Sequence, residues 1–343
     1  MKKLLNTLYV TTSDARLALD GENVVVYQGD DALGRFPLHN LEGIVVFGYI
    51  GASPALMGAC VSRNISLCFL TPFGKFLARV VGKEYGNVTL RKTQYSVSAD
   101  EVRSAEISKS FLLGKIYNSR WVIERAIRDY PMRLDVERLK TASGFLKRST
   151  CEIMTGSNLE QLRGIEGEAA SVYFGVFDEL ILQQKDSFHF NVRNRRPPLD
   201  NVNALLSFVY TLLANQTAAA LTTVGLDSYV GFLHRDRPGR ISLALDLMEE
   251  LRCVYADRFV LSIINKKIIT ASGFEKKEDG AVVMTDDTRK VVLTAWQNKK
   301  QEIITHPFIQ EKLEWGLVPY VQAMLLARYL RGDIDAYPPF LWK

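Results

Sequence analysis

The hydrophobic repeat changes once along the 343-residue chain, and that change limits the folds open to it. Up to about residue 95, "TLYVTT", "ARLALDGENVVVYQ" and "GRFPLH" are short, β-rich and punctuated by turn residues, with Asp20-Gly21 where a hairpin should turn. "LEGIVVFG" and "ISLCFLT" are continuous apolar runs, suited to strands covered on both faces. "SPALMGACVSRN" between them reads as a short helix, and "FLARVVGKEYGNVTLRKTQY" as a further hairpin turning near Gly86-Asn87. From about residue 104, Ile107, Phe111, Leu112, Ile116, Trp121 and Val122 recur at helical spacing, and such segments dominate the rest of the chain. One interruption, "KIITASGFEKKEDGAVVMTDD", reads as a small hairpin turning at Asp279-Gly280. The expected class is therefore α+β. A small N-terminal β domain is expected over residues 1–95, a linker over 96–104, and a larger, mostly α-helical domain over 105–343.

Composition excludes more than it selects. Hydrophobic residues are 47% of the chain, enough for a sizeable core. The balance of 43 Lys+Arg against 38 Asp+Glu leaves a net charge of +5, which permits a polyanionic partner without demanding one. Cysteines at 60, 68, 151 and 253 form no CxxC pair, so no zinc ribbon or thioredoxin-type motif is available. Four unpatterned thiols suit a reducing cytoplasm. Polar residues interrupt the apolar run of "MKKLLNTLYV" too soon for a signal peptide, and no run of about 18 apolar residues predicts a membrane span.

Three segments carry candidate chemistry. In "TGSNLEQLRGIEGEAASVYFGVFDELIL", Ser157 and Glu160 have capping-box spacing, and Leu159, Leu162, Ala169, Tyr173 and Phe177 mark a buried face. Glu166 projects from that stripe, flanked by Gly164 and Gly167, each of which costs a helix roughly 1 kcal/mol relative to alanine. It reads either as a site carboxylate or as the partner of a core arginine. In "GFLHRDRPGRISLALDLMEELR", Asp246 and Glu249 lie three apart on one helical face, where two like charges repel unless a cation stands between them. A solvated helix edge is the plainer reading of that pair. His234 stands upstream among Arg235, Arg237 and Arg240, whereas His39, His189 and His306 have no acidic companions and read as structural. One imidazole with two or three carboxylates suits Mn²⁺ or Mg²⁺, and no cysteine set argues for structural zinc. Arg252, and Arg193, Arg195 and Arg196 in "NVRNRRPP", add groups that match phosphate oxygens.

Together, "GIEGEAASVYF", "NRRPPLDNVNALLSFVYTLL" and "VGLDSYVGFLHRDRPGRISLALDLMEELR" resemble the CRISPR-associated spacer-acquisition integrases, the first-numbered Cas protein family. The wording is similar to that of type I systems. The resemblance implies an asymmetric homodimer, dimerising through the β domain, that joins a small ferredoxin-like Cas partner and inserts short double-stranded DNA into a CRISPR array. It implies a divalent metal held by Glu166, His234 and Glu249, with Asp246 in support of catalysis, and DNA contacts from Arg196, Arg237, Arg240 and Arg252. It implies transesterification by a 3′-hydroxyl, with endonuclease activity from the same site. Many members carry proline after the motif arginine, where this chain has Cys253, a departure that bears on local helix geometry. Two other readings stay open: a different metal-dependent nuclease or transposase of this fold, and a non-enzymatic DNA-binding scaffold.

Overall fold

The computed structural model describes residues 5–82, 88–156 and 158–343. The chain divides into two compact units, Met1–Tyr85 with Met284–Gln301, and Gly86–Val283 with Glu302–Lys343.

The first unit is built from two four-stranded sheets. β1 (Asn6–Val10), β5 (Leu41–Phe47), β7 (Ser66–Leu70) and β8 (Phe76–Arg79) form one in the order β1-β5-β7-β8, parallel except for the last pair. β2 (Ala15–Asp20), β3 (Asn23–Gln28), β4 (Asp31–Pro37) and β6 (Gly51–Ala52) form the other in the order β4-β3-β2-β6. The β2–β3 hairpin turns after Asp20, as its Asp-Gly pair predicts. Leu17, Val24, Leu38, Ile44, Val46, Leu56 and Leu67 belong to one core cluster, so the continuous apolar runs fill the interior as their lack of alternation requires. α1 (Pro54–Ser62) starts on Ser53, whose hydroxyl accepts the Leu56 N–H at 3.2 Å. The unit is not continuous in sequence. α9 (Asp286–Gln301) belongs to it, and Lys300 Nζ lies 2.9 Å from Thr7 Oγ1 and 2.5 Å from Glu42 Oε1.

The second unit is mainly helical: α2 (Val88–Ala99), α3 (Glu101–Asp129), α4 (Val136–Thr155), α5 (Leu159–Gly175), α6 (Asn201–Thr223), α7 (Ser242–Leu251), α8 (Arg258–Asn265) and α10 (Val318–Arg331). Short polar caps start four of them. Asp100 accepts from Val102 N–H at 3.0 Å, Asp135 from Arg138 N–H at 3.0 Å, Asn158 from Gln161 N–H at 2.9 Å and Asp200 from Asn203 N–H at 2.7 Å. α6 is long and apolar enough to cross a membrane, with 67% of its apolar window buried inside the protein, where α7 and α10 pack on it. Between α7 and α8 the chain makes a π-helical turn over Arg252–Asp257, so the helix geometry around Cys253 is irregular. The hairpin expected around Gly280 is present as β9 (Phe274–Lys276) and β10 (Val282–Met284), and β11 (Ile303–Thr305) pairs with β12 (Lys312–Glu314).

Three local expectations change. The hairpin expected to turn at Gly86-Asn87, a point outside the described residues, has no second strand, because Val88–Ala99 is helical. Its buried positions are Leu90, Gln94 and Val97, a helical repeat whose middle member is polar. Residues 96–104 hold the end of α2, the Asp100 cap and the start of α3. Ser157 lies outside the described residues; Asn158 caps α5, and Glu160 pairs with Arg163 and Arg235 instead.

The polar member of α2 is a clamp. Gln94 Nε2 donates to the carbonyls of Asp227 and Val230, each at 2.8 Å, and Oε1 accepts the Asp227 N–H at 2.9 Å. Ser98 donates to the Gly231 carbonyl at 2.7 Å. Gln94→Leu would keep the bulk and strip three half-buried backbone groups of their partners, so urea denaturation should record a loss of about 3 kcal/mol. A change below about 1 kcal/mol would show that the clamp holds little.

Candidate active site

α7 is ten residues long and buries nearly all of them, including Asp246, Glu249 and Glu250. The acids are therefore not a solvated edge. Asp246 is 0% exposed, and its donors come from the loop ahead of the helix. Oδ2 accepts the N–H of Phe232 at 2.7 Å and of Leu233 at 3.0 Å; Oδ1 accepts that of His234 at 3.1 Å and faces His234 Nδ1 at 2.5 Å. Nδ1–H donating to this carboxylate leaves Nε2 with the ring's lone pair, the arrangement that orients a metal-binding imidazole. The approach is close enough to require glycine at 231, where a Cβ would lie 2.7 Å from Asp246 Oδ2 and 2.9 Å from the Ser242 backbone. α5 grips the same loop: Arg163 donates to the Leu233 carbonyl from Nε at 3.0 Å and Nη2 at 2.6 Å. Glu166, one turn along α5, is thereby brought to the site.

Glu249 is 5% exposed and lies between two cations. Arg252 Nη1 donates to Oε1 at 2.6 Å, and Lys115 Nζ stands 2.7 Å from Oε2. That oxygen is buried, and the Lys115 ammonium is its close charged neighbour. Lys115 also pairs with Glu166 across the site. Burial works against ionisation of Glu249, but Arg252, then Lys115 and His234, outweigh it and hold the carboxyl well below its usual range. Burial likewise works against the Lys115 ammonium, and Glu249 and Glu166 reverse it, raising its pKa. Lys115 reaches the acids because α3 and α7 touch at Gly114, where a Cβ would lie 2.7 Å from that of Glu250.

The structure thus joins Glu166 to Glu249 through one ammonium and His234 to Asp246 directly. Among the described residues no three acidic, histidine or cysteine side chains already form a metal cage. The donors nevertheless fit a hard divalent ion: two carboxylates around one cation position, with an imidazole oriented by Asp246.

The arginines divide into two groups. Arg252 is turned inward, pairing with Glu249 and lying 4.5 Å over the Tyr210 ring. Tyr210 donates to buried Asp257 at 2.5 Å, as does Tyr173 at 3.1 Å. Arg193 is also internal, donating to Asn203 at 2.7 Å and Ser207 at 3.1 Å. Arg196 and Arg237 are exposed and Arg240 is half-buried. Arg237 and Arg240 border a recess of about 360 Å³ with exposed Tyr229. Burial, and after it the like charge of Arg237, hold the Arg240 guanidinium below its ordinary value, which an arriving anion would relieve.

Sequence reading missed Lys115 and Glu250. Lys115 follows Phe111 by four on the buried stripe of α3, a signal that was available. Glu250 binds the final segment of the chain: its carboxylate accepts from Gln322 Nε2 at 3.0 Å, from the Tyr337 hydroxyl and from Phe340 N–H at 2.7 Å. These donors are neutral, and burial pushes its pKa up to about 7 against their opposing pull.

A family model described as CRISPR associated protein Cas1 matches residues 8–298. CRISPR-associated endonuclease Cas1 1 of Chlorobaculum tepidum is 49% identical over 343 residues, covering 100% of both chains. A casposase bound to integration product superposes with a TM-score of 0.82 at 22% identity, covering 99% of this chain and 93% of that one. A Cas6-RT-Cas1–Cas2 complex gives the same TM-score and identity, with 100% of this chain matching 36% of a longer one. At such identities the structural likeness speaks for the fold.

Glu250 predicts a pH dependence. A carboxyl raised from its ordinary 4.5 to about 7 on folding stabilises the protein fully below 4.5, and that contribution is lost as pH rises through 7. The stability of the protein relative to Glu250→Gln should fall by ~3 kcal/mol between those limits. Parallel denaturation curves across that range would reveal no window at all if Glu250 ionises normally.

Proposed function

The chain belongs to the Cas1 family of CRISPR-associated proteins, and from that premise we propose that it is a metal-dependent DNA integrase and endonuclease that inserts short foreign duplexes as spacers into a CRISPR array. The observation that carries the reading is the pair of carboxylates, Glu166 and Glu249, about one cation position beside an imidazole oriented by buried Asp246. In this proposal Glu166, His234 Nε2 and Glu249 hold Mg²⁺ or Mn²⁺, which when bound supplies Lewis acidity to a 3′-hydroxyl and to the phosphate it attacks. The reaction is a transesterification. The incoming 3′ oxygen forms a bond to phosphorus at the repeat boundary, the existing 3′ O–P bond breaks, and the number of phosphodiester bonds is conserved. Water in place of the hydroxyl gives endonuclease activity.

Around that chemistry the protein's groups have separate tasks. Asp246 keeps the His234 ring in one tautomer and direction. Arg163 and Gln94 hold the histidine loop against α5 and α2, limiting how far Nε2 can drift. Exposed Arg196 and Arg237, with half-buried Arg240, suit phosphates of the bound duplex, so binding should be largely electrostatic. Arg252, placed in the DNA-binding group on sequence, is assigned here to fixing Glu249. We also assign dimerisation to the β-rich N-terminal domain, with a small ferredoxin-like Cas protein as the partner of the homodimer, and a cytoplasmic location where the array is accessible.

The two α7 acids separate this reading from a DNA-binding scaffold. Glu249→Gln should abolish strand transfer and sharply weaken Mn²⁺ binding. Asp246→Asn should retain more metal affinity, with losses of about 10- to 100-fold of the kind seen when an outer partner of a ligand is removed. Both should still bind duplex DNA through the exposed arginines. Near-normal integration by Glu249→Gln, measured with Mn²⁺ and a repeat-containing substrate, would overturn the ligand assignment.

A further inference from the structure

We propose that the Lys115 ammonium is a built-in occupant of the cation position between Glu166 and Glu249, and that a divalent metal enters by displacing it. The proposal rests on the reading of Glu166, His234 and Glu249 as metal ligands. Lys115 is 8% exposed, in the buried stripe of α3 between Phe111 and Val122. Burying an ammonium is strongly unfavourable unless carboxylates compensate it, and here two do, from different helices. Glu249 does not need Lys115 for neutrality, since Arg252 already donates to its other oxygen. What Lys115 adds is a bridge to Glu166.

Charge balance favours the exchange. Glu166 and Glu249 contribute two negative charges, Lys115 and Arg252 two positive ones, and the group is neutral. A divalent ion added to that neutral set would leave two uncompensated positive charges in a largely buried space. Departure of the lysine head removes one of them and frees both the Oε2 of Glu249 and the Oε1 of Glu166. Its long flexible stem allows the head to move while the α3 backbone stays in place.

Two measurements test this. In the first, the unaltered protein is acetylated with and without saturating Mn²⁺, and each lysine is followed by mass spectrometry. Lys115 should react slowly in metal-free protein and several-fold faster once the ion has displaced it. Unchanged reactivity while electron paramagnetic resonance shows Mn²⁺ bound would overturn the exchange. In the second, Lys115→Gln and Lys115→Met are titrated with Mn²⁺. Each should bind about tenfold more tightly than the unaltered protein, because no buried ion pair must first be broken. Equal or weaker binding would also overturn it. Where the variants fold poorly, the acetylation result decides. Absence of Mn²⁺ binding by the protein and by both variants would sink the metal-ligand reading itself, and the exchange with it, whereas metal binding without lysine release sinks the exchange alone.

Discussion

A carboxylate with no exposed surface must find its donors inside the protein, and Asp246 finds four in three consecutive residues. Three are backbone N–H groups and the fourth is the histidine ring. The loop from Phe232 to His234 therefore has its course dictated by one side chain on α7. Removing any of these donors would leave the acid partly unsatisfied, so loop and helix behave as a single structural piece. Arg163 on α5 takes the Leu233 carbonyl of this loop, and Gln94 and Ser98 on α2 take carbonyls of Val230 and Gly231 just ahead of it. The segment leading to His234 is thus held from three helices, so the ring has little freedom of direction.

α3 sets the other side of the site. Its glycine at 114 admits the Glu250 side chain, Lys115 meets the acids, and Asn118 donates to the carbonyls of Glu250 and Phe340, each at 2.7 Å. One helix thus positions a charged centre and the final segment of the chain through residues a single turn apart. The three acids of α7 have distinct environments as a result: Asp246 among backbone donors, Glu249 between cations, Glu250 among neutral donors. Acids so close in sequence coexist because each is satisfied from a different direction, and burial favours the uncharged form of Glu250.

Much of this is legible in the sequence, for identifiable reasons. Strands such as Asn23–Gln28 and Leu41–Phe47 carry strong apolar patterns and clear turn residues, so period alone locates them. The buried stripe of α5 from Leu159 to Tyr173 is equally plain. α2 is not, because its central core position is Gln94, a polar residue whose burial makes sense only when the loop it clamps is known. The same limit applies to Asp246 and Glu249. The donors of Asp246 lie 12 to 14 residues upstream, and Glu249 meets Lys115 on α3 as well as Arg252 three residues on, so spacing within α7 gives no means of telling buried acids from a wet edge. The roles proposed for them come from the family resemblance. It also flagged Cys253, where the π-helical turn lies and where Sγ sits 2.9 Å from Ser119 Oγ on α3.

The place of α9 in the first unit has a consequence for how the protein is made. Lys300 and Glu42, bonded in the finished unit, are separated by 258 positions. At ribosomal speeds of about 5–20 residues per second, between ~10 and ~50 seconds pass after Glu42 is synthesised before its partner exists. Throughout that interval the β1–β5 edge lacks the helix that packs on it. The sheet unit is therefore completed only after residues 86–283 of the helical unit have been made.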